Sequence, residues 1–233
     1  MISFNQGAWV SGTENYRYGH NSIPNVRVTG APADTDWSRW TMLHDDKHYR
    51  LFAFRKGIRD KLYPFAWNGE SYAYAYKSAE TLSLTNVPAD ANTNSISMLH
   101  DGRNHYAYLH RRDDPGTLYR LVWVPGKEKH QGSYQWNHGE HVNTLRITGF
   151  PDDTDWSRWA MLHDGRTSRI YAFHGGRRNR IFQGSLNAAV SEYQYGFRSI
   201  PELTPKGFPA NSDFNQAAMV HDGRDYRLYF QAL

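Results

Sequence analysis

Cysteine is absent from the 233 residues, which excludes disulfide scaffolds, thiolate zinc sites and cysteine nucleophiles. No stretch approaches the roughly 18 consecutive apolar residues that a membrane-spanning helix requires. The first ten residues, M-I-S-F-N-Q-G-A-W-V, carry neither a basic n-region nor an apolar h-region, so no Sec-type signal is visible and the compartment stays open. The net charge is only +4, and no block of five or six like charges reads as a nucleic-acid tail. Nucleophile elbows (G-x-S-x-G), H-E-x-x-H zinc motifs, phosphate loops and dinucleotide fingerprints are also missing, and no catalytic residue is assigned.

Branched aliphatic residues are scarce too. Leu, Ile, Val and Phe together number 43 of 233, a fraction that signals disorder only when the net charge is large. Here 16 Tyr and 8 Trp supply the missing apolar area, each ring with a polar tip. A soluble, tyrosine-rich folded domain is the expectation.

The informative feature is a repeat. W-T-M-L-H-D-D-K (40–47), I-S-M-L-H-D-G-R (96–103), W-A-M-L-H-D-G-R (159–166) and A-A-M-V-H-D-G-R (217–224) align without gaps. Met42, Met98, Met161 and Met219 mark the register, and Pro32, Pro88, Pro151 and Pro209 each lie ten residues earlier. The spacings are 56, 63, 58 and, counted through the termini, 56, so the repeats account for the whole chain. Y-R-Y-G-H-N-S-I-P (16–24) also matches Y-Q-Y-G-F-R-S-I-P (193–201), so the two termini jointly build one repeat.

Within each repeat, four short aromatic and β-branched runs are separated by Gly, Asp, Asn and Pro, the pattern of four strands. In the first repeat they are Trp40 to His44, Tyr49 to Phe54, Leu62 to Trp67 and Tyr72 to Tyr76. In the fourth they are Ala218 to His221, Tyr226 to Phe230, Ile2 to Trp9 and Asn15 to Tyr18. The predicted fold is all-β: one domain over 1–233, a four-bladed β-propeller with four antiparallel strands per blade, its ring closed by N- and C-terminal strands sharing a blade. Pro64 falls inside the third strand of blade one and predicts a local bulge there.

A-A-M-V-H-D-G-R-D-Y-R-L-Y-F (217–230) and its three copies resemble the repeats of the hemopexin-like four-bladed propellers. That resemblance implies a non-enzymatic binding scaffold without a cofactor, with a structural ion held in the central channel in some members. The partners it implies range from proteins to glycans to small ligands.

Four His-Asp pairs end the innermost strands: His44, His100, His163 and His221, each followed by Asp. They read as turn elements, with a metal-holding axial ring of the four histidines as the alternative. Lys47, Arg103, Arg166 and Arg224 follow at a fixed offset and are expected to pair with the neighbouring aspartates, or else to form a cationic ring at one mouth. His130, His138, Glu140 and His141 fall in an extended loop of the second repeat, read as solvated rather than zinc-binding.

Two repeats share a further motif, D-W-S-R-W at 36–40 and 155–159, that the other two lack. Indole faces stack on sugar C–H surfaces while Arg and Asp bond hydroxyls or carboxylates, so Asp36, Trp37, Arg39, Trp40, Asp155, Trp156, Arg158 and Trp159 are the candidate ligand-binding residues. The competing reading makes Trp40 and Trp159 inter-blade filler and pairs Arg39 with Asp36 and Arg158 with Asp155. The function expected is multivalent carbohydrate binding, a lectin for glycans or glycoconjugates. The alternative is a hemopexin-like module for a protein partner or a small anionic ligand.

Overall fold

Four copies of one antiparallel meander make up the architecture, and each begins at the D-x-S/N stretch that precedes a repeat methionine. The computed structural model describes residues 2–127, 131–139 and 143–233. Among these, 62% lie in strands and none in helix.

The innermost strand of each unit is ten residues long. Unit I runs β4 (Thr35–His44), β5 (Tyr49–Arg55), β6 (Lys61–Trp67) and β7 (Ser71–Tyr74); unit II runs β9 (Ala91–His100), β10 (His105–Arg111), β11 (Asp114–Pro125) and β12 (Gly132–Gln135). Unit III runs β14 (Thr154–His163), β15 (Ser168–His174), β16 (Arg177–Asn187) and β17 (Glu192–Tyr195). Unit IV takes β19 (Ser212–His221) and β20 (Tyr226–Ala232) from the C-terminal end and β1 (Ser3–Trp9) and β2 (Asn15–Tyr18) from the N-terminal end. The joint is a six-residue antiparallel register from Ser3↔Ala232 to Ala8↔Arg227.

A fifth strand, absent from the four-strand reading of the sequence, follows each unit: β3 (Asn25–Thr29), β8 (Leu82–Thr85), β13 (Thr144–Thr148) and β18 (Glu202–Lys206). Each pairs antiparallel with the third strand of its own unit and parallel with the fourth strand of the next, as β8 does with β6 and β12. The third, fourth and fifth strands therefore close into a ring of twelve in one sheet. These strands are short and polar on alternate positions, V-R-V or L-R-I, which hides them beside the aromatic runs.

Inside this ring, β4, β9, β14 and β19 each lie against two of the others around an axis. The core is divided into four apolar clusters, each drawing on two neighbouring units; one joins Phe52 and Leu62 of unit I to Met98 and Leu121 of unit II. Such layering demands side chains buried on both faces of the middle strands, hence the near-continuous L-F-A-F and R-L-Y-F runs.

Pro64 sits in regular register opposite Phe52, with no bulge. The reason lies in its sister positions, where the amide points away from the ladder: Gln6 donates to the Pro24 carbonyl at 2.9 Å and Gln183 to that of Pro201 at 2.8 Å. In unit I the corresponding carbonyl, of Glu80, accepts from the Tyr74 hydroxyl at 2.9 Å instead. No ladder bond is lost, so the proline is tolerated.

Candidate functional site

The D-W-S-R-W stretches form a bulge at the start of β4 and β14, where the register slips between Asp36 and Trp40 and between Asp155 and Trp159. The Asp starts the bulge: its Oδ1 accepts the amide two residues on, from Ser38 at 3.1 Å and Ser157 at 2.9 Å. Asn92 and Asp213 do the same in the other two units, at 3.1 and 2.9 Å. Asp36 Oδ2 holds Arg39 Nε at 2.8 Å, and Asp155 Oδ2 holds Arg158 Nε at 2.6 Å. The guanidinium groups then cap the sheet, over Phe54 at 4.4 Å and Phe173 at 5.4 Å.

Trp40 and Trp159 are buried, 2% and 3% exposed, inside the clusters between units. The Trp159 indole donates to Ser95 Oγ of unit II at 2.5 Å. Trp37 and Trp156 are half-buried, the first against Phe65 at 5.6 Å and the second against Phe150 at 5.0 Å. Each set of four residues is thus brought together, with most of its hydrogen-bonding capacity spent inside the protein. The unit III copy borders a cleft of about 540 Å³, where Arg177 and Arg178 join Arg158.

The His-Asp turns follow one pattern at the opposite end of the inner strands. Oδ1 of each Asp accepts the amides two and three residues on, at 3.1 and 2.8 Å for Asp164 and 3.0 and 2.8 Å for Asp222. In units I, III and IV Oδ2 takes the arginine five residues on, as in Asp164–Arg169 and Asp222–Arg227, whereas unit II has Tyr106 at that position. The expected pairing with Lys47, Arg103, Arg166 and Arg224 is therefore corrected: these side chains are exposed, and only their backbone amides reach the aspartates. Direct chain geometry favours this, because residue i+5 lies across the hairpin from the Asp, on the same face.

His44, His100, His163 and His221 line an axial space of about 10 Å³, the size of one water, together with Met98, Met161 and Met219. Among the described residues no three His, Asp or Glu side chains converge as metal ligands. Burial lowers the affinity of His44 and His163 for a proton, and His163 Nδ1 lies 3.1 Å from Ser168 Oγ. Of the four residues in the second-repeat loop, His130, Glu140 and His141 lie outside the described residues, and His138 is exposed.

Larger cavities open where adjacent units meet, and the residues that line them escaped the sequence reading. At the junction of units IV and I a cavity of about 290 Å³ is lined by Gln6, Tyr49, Trp67, Tyr72, Arg227 and Tyr229. At the junction of III and IV, Gln183, Tyr226, Trp9, Tyr16, Arg169 and Tyr171 take the same places around about 240 Å³. In both, Trp and Tyr on neighbouring strands meet edge-on at 5.5 Å. The paired tyrosine hydroxyls, Tyr72 with Tyr229 and Tyr16 with Tyr171, are hydrogen-bonded, and burial raises all four pKa values.

The arginines are held by their aspartates, with one edge turned to the cavity. Gln6, with its amide nitrogen toward the Ile23 carbonyl, accepts from both Arg227 and Tyr229 at 3.1 Å. Asn21-Ser22-Ile23 and Arg198-Ser199-Ile200 form the respective lips. The Y-x-Y-G-x-x-S-I-P match was visible in the sequence, yet it joins its tryptophan and arginine only through contacts between different repeats. No family model and no curated protein matches this sequence.

Proposed function

We propose that the chain is a four-bladed β-propeller and a non-enzymatic, divalent carbohydrate-binding protein whose sites lie between blades. The architecture is supported by the four equivalent meanders, by the inner strands gathered on one axis and by a core divided among the four junctions. The observation that carries the function is the repetition of one cavity at the IV–I and III–IV junctions, with Trp, three Tyr, Arg, Gln, Ser and Ile at equivalent positions.

Each such cavity offers an indole edge and face with a tyrosine beside it for sugar C–H surfaces, and Arg, Gln and Ser for directional bonds to hydroxyls. Two sites fixed on a rigid body gain avidity for clustered glycans. The D-W-S-R-W platforms, the first candidates by sequence, belong to the scaffold in this reading.

A glycan array probed with labelled protein, run beside the Trp9→Ala/Trp67→Ala double variant, tests it. Binding that disappears in the double variant supports the proposal. Binding that survives, or no glycan bound by the wild type, overturns it.

A further inference from the structure

The cavity at the I–II junction, about 460 Å³, is larger than its two sisters and differs from them at three positions of its inner wall. Phe52 stands where they have Tyr171 and Tyr229, Pro64 where they have Gln183 and Gln6, and Ala79 where they have Ile200 and Ile23. Each change removes a hydrogen-bonding group or opens space. Trp123 and Tyr134 keep the sister geometry, edge-on at 5.2 Å. His105 replaces the tyrosine at the far wall, and burial lowers its pKa to about 4, so it is neutral at pH 7.

Ser78 and Gln131 line the cavity as well, and two further polar features bear on a ligand. The Tyr134 side chain is 2% exposed and lines the cavity, and its hydroxyl has lost the tyrosine partner that Tyr72 and Tyr16 keep, because Phe52 has no oxygen. Lys77 and Lys127 stand at the rim, and neither has an acidic partner among the described residues. Arg50, by contrast, is neutralised by Asp45 at 2.5 Å.

We propose that this cavity is a separate, single site for a small aromatic carboxylate. Its volume falls in the range of small-molecule pockets, about 300–1,000 Å³. The flat apolar body lies on Trp123 against Phe52 and Pro64, the carboxylate faces the two ammonium groups, and Tyr134 donates to an oxygen of the ligand. The inference stands apart from the glycan proposal, because it uses the differences among the cavities rather than their likeness.

Calorimetric titration of the full chain with 2-naphthoate, beside the neutral isostere 2-naphthalenemethanol, tests it. The expected result is one equivalent of naphthoate bound, at least tenfold tighter than the alcohol. Lys77→Gln/Lys127→Gln, both at exposed positions, abolishes that preference, and Phe52→Tyr, which gives Tyr134 back its partner, weakens naphthoate at least fivefold. Equal affinity for the two probes, an unchanged preference in the lysine variant, more than one equivalent, or no binding at millimolar naphthoate overturns the proposal.

Discussion

Tyr49 of unit I donates its hydroxyl to the Asp222 carboxylate of unit IV, so one turn is locked to the next across a junction. Tyr226 repeats the contact to Asp164 at 3.0 Å. Each carboxylate also holds two amides of its own turn and an arginine. Removing one carboxylate therefore leaves several donors without their partner.

Acid should unfold the protein through these aspartates. Burial alone would raise the Asp164 pKa, but the Thr167 amide, the Arg169 guanidinium and the Arg166 amide together hold it at about 2, and Asp222 is lowered further. A depressed carboxyl pKa gives stability that is fully present above the unfolded value near 4 and lost as pH falls through the folded value. For Asp164 this amounts to about 2 kcal/mol. Thermal midpoints should fall first between pH 6.5 and 4, where His105 and His110, held neutral by burial with pKa values of about 4, must charge, and drop again between 4 and 2, and Asp164→Asn should flatten that second drop while lowering the midpoint at pH 7. An unchanged acid profile in Asp164→Asn contradicts this.

Legibility in the sequence followed the range of the interactions. The four-strand units, their register and the closure through the termini rest on local patterning and direct repetition, and they were readable. The fifth strands were not, because V-R-V (26–28) and L-R-I (145–147) are too short to stand out without their parallel partners. The Trp-Arg-Asp platforms came together, with Trp40 and Trp159 turned inward as the inter-blade filler of the competing reading, although the volume they fill is one that no single repeat displays. The cavities were hidden for the same reason: Trp9 and Arg169 come from different repeats.

The platform tryptophans should matter for stability and not for ligand. Trp159→Ala empties a buried site and breaks the bond to Ser95, so it should cost about 3–5 kcal/mol in denaturant unfolding. The half-buried pair Trp37→Ala/Trp156→Ala should leave glycan affinity within twofold. A loss of binding in that folded double variant would return the site to the platforms.

Core volume is exchanged between two fixed positions in every unit. A side chain at Gly184 would meet the Phe150 ring at 2.8 Å, and one at Gly7 would meet Phe208 at 2.7 Å, whereas Phe65 and Leu121 in the other units share their clusters with the smaller Ala31 and Val87. Gly184→Ala should destabilise by about 1–3 kcal/mol through overpacking. Adding Phe150→Val should recover part of that loss in a double-mutant cycle; strict additivity would refute the exchange.

The two ends of the chain should be indispensable to each other. β1 pairs with β20 along six residues and buries Phe4 and Ala8 completely, so deleting residues 1–18 removes half of unit IV. Circular dichroism should show loss of the cooperative thermal transition. A truncated chain that melts at the wild-type temperature would contradict the shared unit.

Stoichiometry separates two equivalent ligand sites between neighbouring units from a single site. Native mass spectrometry with an oligosaccharide selected on the array should show two equivalents per wild-type chain. Trp67→Ala should bind one equivalent at unchanged affinity, and so should Trp9→Ala. Two equivalents retained in either variant, or both sites lost together on a single substitution, would contradict the account.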